Sequence, residues 1–425
     1  MNNYKNRIVD KLIERKLKGI GAVLIEGPKL CGKTTSAEHA SKSVLYMANP
    51  DEMAQNIRIS QLKPSLLLEG ETPRLLDEWQ VAPSLWDAVR FEVDHRNKVG
   101  QFILTGSAVP ADREAIFHSG TGRIAWLKMR TMSLFESEES NGSVSLEDLF
   151  SQKSEIFGKN DINDIEEIAY LACRGGWPTT LELERNIALD HAYNYLQAIE
   201  NVDISRVDNV RRDVQRTKKL LKSYARSQGS QATNEAIRQD MLANDSDKLD
   251  TDTVVSYINA LKKIFVIEDM EAWNPNIRSK TAVRTSDTRY FSDPSIAVAS
   301  LGLGPSDLIS DLKTFGFIFE TMCVRDLRVY ADSLNGQVYH YRDKSGLECD
   351  AVIHLRDGRY GLAEIKLGGE DAIEYAAQTL KTLAKRIDTE KMNTPSFMMV
   401  LVGKSGYAYR REDGVYVVPI GCLKD

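Results

Sequence analysis

The octet Gly27-Pro28-Lys29-Leu30-Cys31-Gly32-Lys33-Thr34 constrains this chain more than any other stretch, because it meets the pattern GxxxxGK[ST] at every fixed position. The short apolar run Ala22-Val23-Leu24-Ile25 precedes it and reads as a buried strand. Thr35-Ser36-Ala37-Glu38-His39-Ala40 follows and can open a helix. Strand, glycine-bearing turn and helix in that order make a phosphate cradle. The loop from Gly27 through Thr35, with backbone N–H donors at every residue but Pro28, and the helix N-terminus face the anion. Lys33 is expected at the β- and γ-phosphates, and the Thr34 hydroxyl on Mg²⁺. The pattern predicts a nucleotide pocket for ATP and Mg²⁺.

A chain of 425 residues exceeds one ordinary core and predicts two or three domains. With 42% hydrophobic and 27% charged residues it has the balance of a soluble globular protein. No uncharged apolar stretch approaches the ~20 residues of a membrane span, so no membrane partner is expected. The basic N-terminus lacks the apolar core of a signal peptide. Five scattered cysteines without a CxxC pair predict neither a zinc site nor a disulfide framework, which suits the cytoplasm. A net charge of −6 argues against sequence-blind coating of nucleic acid. Arg206, Arg211, Arg212, Arg216, Lys218, Lys219, Lys222 and Arg226 form one local basic run, a candidate groove for nucleic acid whose simpler reading is a solvated helix face.

Apolar runs at 44–47, 66–68, 74–76, 102–104 and 124–129 alternate with helical patterns, which predicts an α/β domain with a mostly parallel sheet. Ligands of such sheets lie at the carboxyl ends of the strands. Leu75-Leu76-Asp77-Glu78 ends one run in two carboxylates. Asp77 is expected to hold Mg²⁺ through water, and Glu78 to polarise the attacking water. Phe102-Ile103-Leu104-Thr105-Gly106-Ser107 ends another in hydroxyls, and Thr105, ahead of Ser107, is expected at the γ-phosphate or the lytic water. Arg123, after Gly120-Thr121-Gly122, is a candidate for stabilising transition-state charge, in cis or from a neighbouring subunit of a homo-oligomer.

The octet, "LLDEWQ", "FILTGSA" and "GRIAWLKMRTMSLFE" together resemble the prokaryotic AAA-type ATPases fused to a C-terminal domain of unknown function. The resemblance runs on through Gly175-Gly176-Trp177-Pro178, Asp203-Ile204, "YFSDPSIA" and "FGFIFE", nearly the whole chain. It implies ATP hydrolysis and a winged-helix unit in the middle. Where that family usually has arginine after Gly-Pro, and a small apolar residue before Gly-Lys-Thr, this chain has Lys29 and Cys31.

Residues 136–145 are polar and acidic and read as a linker or exposed loop. Trp177 in the Gly-Gly-Trp-Pro turn reads as a packed residue. Residues 188–273 are largely helical and end in a β-prone stretch at 264–267. In a winged-helix unit residues 251–261 would sit like a recognition helix, but Asp250 and Asp252 favour packing or a protein contact over reading DNA.

The last quarter holds a second chemical signal. A helix at 310–330 includes Glu320. Strands follow at 337–342, 347–355 and 360–365, then a helix at 370–386 and a strand at 397–402. Asp350 lies on the second strand, and the third ends Ala363-Glu364-Ile365-Lys366. Thirteen residues separate Asp350 from Glu364, which suits two hairpin-linked strands. Helix, three strands, helix, strand with Asp…Glu-x-Lys is the arrangement of the restriction-endonuclease-like fold. Carboxylates from Asp350, Glu364 and Glu320 would hold Mg²⁺, and Lys366 would position water against a phosphodiester. Tyr341, Arg342 and Lys344 lie close by in sequence for a phosphate backbone. The alternative keeps the fold and makes Asp350, Glu364 and Lys366 an ionic cluster in a binding-only module.

The sequence therefore predicts an ATPase region at 1–135, a helical and winged-helix-like region at 136–305 and a nuclease-like region at 306–425. Nucleic acid, DNA ahead of RNA, is the expected partner.

Overall fold

In the first third of the chain, apolar runs too short for helices become strands, and amphipathic segments between them become the helices that cover the sheet. The computed structural model describes residues 4–106, 120–151, 156–162, 164–208, 210–243, 249–275, 286–387 and 392–425. They fall into two units. The first comprises Met1–Thr131, Asn201–Arg212 and Asn259–Val266, and the second Met132–Glu200, Asp213–Ile258 and Ile267–Asp425.

In the first unit, α1 (Ile8–Leu17), β1 (Ala22–Glu26), α2 (Lys33–Ala40), β2 (Ser43–Tyr46), α3 (Met53–Leu62), β3 (Arg74–Asp77), α4 (Ser84–Arg96), β4 (Phe102–Gly106) and β5 (Ile124–Lys128) follow one another. The strands form one sheet in the order β2-β3-β4-β1-β5, parallel at every pairing. This is the predicted parallel α/β domain. Alternation along the strands divides the core. Leu24, Leu76 and Leu104 pack towards α4 with Leu85, Trp86 and Val89. Val23, Ile25, Leu75 and Ile103 pack towards α1 and α2 with Ile13 and Ala37. The run at 66–68 is not a strand. Pro64 opens a 3-10 turn, Pro64–Leu68, whose Leu67 and Leu68 are buried against α4's side of the sheet.

The second unit begins with β6 (Val144–Ser145), α5 (Leu146–Ser151), β7 (Gly158–Lys159), α6 (Ile165–Arg174) and α7 (Arg185–Ala198). After α8 (Ile204–Arg206), in the first unit, come α9 (Val214–Arg226), α10 (Asn234–Leu242) and α11 (Thr251–Lys263), whose residues from Asn259 on belong to the first unit. The chain continues through α12 (Pro294–Leu301), α13 (Pro305–Ser310), α14 (Leu312–Ser333), β8 (Gly336–Arg342), β9 (Glu348–Leu355), β10 (Tyr360–Lys366), α15 (Glu370–Arg386), β11 (Phe397–Val402), β12 (Tyr407–Arg410), β13 (Tyr416–Pro419) and β14 (Leu423–Lys424). Seven strands form a mixed sheet ordered β7-β12-β13-β11-β10-β9-β8. β8, β9 and β10 are antiparallel neighbours, and β11 joins β10 in parallel. Ile373, Ala376, Leu380 and Leu383 of α15 close the core over Val352, Leu362, Val400 and Val402.

Three readings of the middle change. Residues 136–145 are not an exposed linker: Glu136 accepts from the Ser133 N–H at 2.8 Å, Ser140 donates to the Leu423 carbonyl at 2.7 Å, and β6 pairs with β14. Residues 264–267 form no strand, and only isolated antiparallel bridges join Ile267 to Phe291 and Met270 to Thr288. By packing, most of the expected region 136–305, all but 201–212 and 259–266, shares the second unit with 306–425, where α12 packs against α6, α7, α9 and α14.

Motifs far apart in sequence meet in one buried polar knot. Asp293, fully buried, accepts from the Gly176 N–H at 3.0 Å and the Ser295 hydroxyl at 2.6 Å. The Trp177 ring N–H donates to that same hydroxyl at 2.9 Å, so Trp177 is packed, as predicted. The Arg325 guanidinium lies between Asp293 and Asp326, at 3.3 Å and 2.7 Å. Removing one partner of such a pair strands the other charge in the core. Asp293→Ala is expected to cost about 3–5 kcal/mol of stability, measured by denaturant unfolding.

His340 offers a pH test of the same unit. It is buried on β8, and burial holds its pKa below the ordinary histidine value. Its folded state thus resists protonation, so its contribution is present above pH ~6.5 and lost as pH falls through the lowered folded pKa. Unfolding midpoints of wild type and His340→Gln are expected to diverge across that fall, with the wild type the steeper.

Candidate functional site

Strand register builds the first site. Ile25 of β1, Thr105 of β4 and Asp77 of β3 are partners across three adjacent parallel strands. Asp77 and Thr105 extend the rows of Leu75 and Ile103, which face α1 and α2. Two acceptor and donor side chains are thereby placed at the carboxyl end of the sheet, on the face where α2 starts.

The loop from Gly27 to Gly32 crosses that end. A Cβ on Gly27 would stand 2.0 Å from the Met129 carbonyl oxygen, so no side chain fits there. Gly32, at φ 101°, takes the left-handed conformation that turns the loop into α2. Cys31 is buried, with its thiol 3.6 Å from the Met129 carbonyl. Lys33 is buried and donates to the Gly27 and Pro28 carbonyls at 3.0 Å and 2.7 Å. The Thr34 hydroxyl donates to Asp77 Oδ1 at 2.7 Å, and the Thr105 hydroxyl to the same oxygen at 2.6 Å. A hydroxyl and a carboxylate are hard oxygen donors of the kind Mg²⁺ takes, so the residues fit that ion. Thr35 is exposed at the start of α2.

Two expectations change. Thr105, 1% exposed, spends its hydroxyl on Asp77 rather than facing a phosphate or water, and so orients the carboxylate. Arg123 precedes Ile124, the partner of Ala22 at the amino end of β1, whereas the loop leaves the carboxyl end. It pairs with Asp94 at 2.8 Å, so its own subunit does not bring it to the loop. Ser107 lies outside the described residues.

Glu78 follows Asp77 in a left-handed conformation, φ 54° and ψ 46°. A non-glycine residue held there costs energy, a pattern that clusters at functional sites. The Gln80 side-chain amide donates to its carboxylate. Sequence reasoning passed over Gln80, and also Arg7. Buried Arg7 donates to the Cys31 carbonyl at 2.8 Å and the Arg130 carbonyl at 3.0 Å, clamping the back of the loop. Lys29, in the place of the usual arginine, pairs with Asp203 at 2.6 Å.

The second site lies at the end of β10. Lys366 Nζ stands 3.0 Å from Asp350 Oδ2 and 2.8 Å from Glu364 Oε2, and the Ile365 N–H donates to the same Asp350 oxygen at 2.8 Å. The structure thus brings Asp350, Glu364 and Lys366 together. Burial, then the negative charge of Asp350, pushes Glu364 up to about 8 against the pull of Lys366. Burial opposes charge on Lys366, but the two carboxylates more than offset it and its pKa is raised. Glu320 is pushed up to about 8 by burial and by Asp350, and its carboxylate takes the Tyr290 hydroxyl. Among the described residues no three His, Cys, Asp or Glu side chains form a metal-holding group. The expected set Glu320, Asp350 and Glu364 does not fit a metal as it stands, because the lysine ammonium fills the space between two of them. Arg342 is engaged with Glu348 at 3.0 Å.

Three of the eight cations of the basic run have acidic partners. Arg212 is buried against Asp208 at 2.7 Å, Arg226 pairs with Asp240 at 2.5 Å, and Lys218 lies 3.8 Å from Glu200. On α11, Val254, Tyr257, Ile258 and Leu261 are buried, consistent with packing.

Residues 20–138 match the family described as AAA domain, which places an AAA-type nucleotide-binding domain in this region. Residues 165–307 and 315–423 match two domains of unknown function, DUF8612 and DUF4143. A solved structure of AMPPCP-bound DnaA from Aquifex aeolicus aligns over 62% of this chain and 89% of its own, at 13% identity and a TM-score of 0.27, too loose a likeness to bear on the fold. No curated protein matches the chain. Among the described residues no helix is long and apolar enough to cross a membrane.

Thr105→Val removes one of two hydroxyls that orient Asp77. Loss of such an outer partner is expected to weaken Mg²⁺ affinity about 10- to 100-fold, read by titrating Mg²⁺ against fluorescent-nucleotide binding.

Proposed function

We propose that this protein binds and hydrolyses ATP, and that its nucleotide state governs a nuclease-like second unit that engages nucleic acid. The observation that carries the reading is the Asp77 oxygen shared by Thr34 and Thr105, with Glu78 strained beside it at the mouth of the phosphate loop. Thr34 and Asp77 would hold Mg²⁺, which neutralises phosphate charge when bound. Lys33 must exchange the Gly27 and Pro28 carbonyls for the β- and γ-phosphates. Glu78, oriented by Gln80, is the group to accept a proton from water attacking the γ-phosphate. Arg123 enters this chemistry only through a neighbouring subunit.

The second unit has the helix, three-strand, helix, strand order of the restriction-endonuclease-like fold. Its lysine-closed cluster favours a module that binds without cutting, the reading we adopt. Cleavage is the second reading, favoured by the meeting of Asp350 and Glu364-x-Lys366 at one sheet end. DNA is the expected ligand ahead of RNA.

ATP hydrolysis and retention of labelled DNA and RNA, measured side by side, test the proposal. Glu78→Gln should keep nucleotide binding and lose about 10²–10⁴ in hydrolysis rate. Hydrolysis that survives Lys33→Ala, or a wild type that retains no nucleic acid in any nucleotide state, contradicts it. Cutting that Asp350→Asn abolishes replaces the binding-only reading with the second.

A further inference from the structure

Beyond Lys366 the chain continues as Leu367-Gly368-Gly369 and lines a cavity of about 570 Å³. The cavity opens one residue past the ionic cluster, at the carboxyl ends of the parallel strands β10 and β11. Ligands of α/β sheets settle on that side. Its wall is apolar at Leu312, Leu367 and Ile373, aromatic at Tyr409, cationic at Lys404 and acidic at Glu370. The volume suits a single nucleotide rather than a folded partner.

The strand beside it carries more of the same chemistry. β12 reads Tyr407-Ala408-Tyr409-Arg410, and its alternation buries Ala408 while both tyrosines stay outside. Tyr407 is 52% exposed, and Phe157, 69% exposed, stacks on it with ring centroids 5.6 Å apart. Residues two apart on a strand are about 7 Å apart, a step that lets consecutive splayed bases each find a ring. Lys159, opposite Tyr407 in the β7–β12 ladder, and Lys404 supply positive charge beside the rings. Exposed aromatic faces in a row with flanking lysines are what a single strand uses, because its bases offer free faces that a duplex hides.

We propose that the cavity and the row Tyr409, Tyr407 and Phe157 form a track for single-stranded nucleic acid, with one base seated against Tyr409 and the backbone passing the Asp350–Glu364–Lys366 cluster. The proposal rests on the reading of the second unit as a nucleic-acid module and names the form of ligand it takes.

Fluorescence anisotropy of the full chain tests it, with labelled oligo-dT, oligo-U and a DNA duplex of about 20 nucleotides, longer than one stacking platform spans. EDTA keeps cleavage from intervening. The wild type should bind single strands at least about tenfold more tightly than duplex. Tyr409→Ala and the double change Tyr407→Ala/Phe157→Ala should each raise Kd about tenfold, and Tyr409→Phe should leave it unchanged. Equal melting temperatures establish that the variants fold. The dT and U arms tell DNA from RNA. Wild-type binding that the alanine variants leave intact, or duplex bound as tightly as single strand, overturns the track and spares the nucleic-acid reading. Variants that change only the elution volume in gel filtration overturn it in favour of a contact with a second copy. A wild type that binds no oligonucleotide overturns both.

Discussion

Parallel register between β3, β4 and β1 is the constraint on which the nucleotide site depends. Asp77, Thr105 and Ile25 are neighbours only because the three strands run the same way in step. A slip of one residue would turn Asp77 to the opposite face and put a leucine under the loop. The apolar rows that enforce this register end in the groups to which we assign the chemistry. Fold and site are therefore one arrangement: Leu75 and Ile103 bury against α1 and α2, and the next inward positions are Asp77 and Thr105.

The second unit contains two clusters of similar composition and different fate. Arg325 between Asp293 and Asp326 is sealed from solvent, and the two carboxylates take further backbone N–H and hydroxyl donors, which fits a device that fixes the packing of α6, α12 and α14. Lys366 between Asp350 and Glu364 keeps a quarter of its side chain in reach of solvent and adjoins a cavity. Burial of a charge pair by itself says little about stability or function. Access separates the two, and it marks the second cluster as the one a ligand can meet.

Much of this was legible in the sequence, for identifiable reasons. β1, β3 and β4 announce themselves as apolar runs, and the motif residues follow them directly, so Thr34, Asp77 and Glu78 could be named without coordinates. The order of elements from α14 to β11 was equally clear, as was the pairing of Asp350 with Glu364-x-Lys366. Residues 66–68 were misread because three leucines look alike in a strand and in a 3-10 turn, and Pro64 decides. Contacts set by tertiary approach left no local trace: Arg7 reaches Cys31 across 24 residues, and Lys29 reaches Asp203 across 174. The pairing of Arg226 within the basic run was hidden for the same reason, since its partner Asp240 lies 14 residues further on. Lys366 standing between its two carboxylates is also a matter of side-chain geometry that spacing cannot supply.

The central claim is that the nucleotide site governs the second unit. The direct measurement is the affinity of the full-length protein for one single-stranded oligonucleotide in two forms: Glu78→Gln held with ATP, and Lys33→Ala without nucleotide. Coupling between two sites typically shifts affinity by a factor of about 5 to 150. A difference of at least about fivefold between the two forms is the result this account predicts. Equal affinities would contradict it and leave the two units as independent activities on one chain.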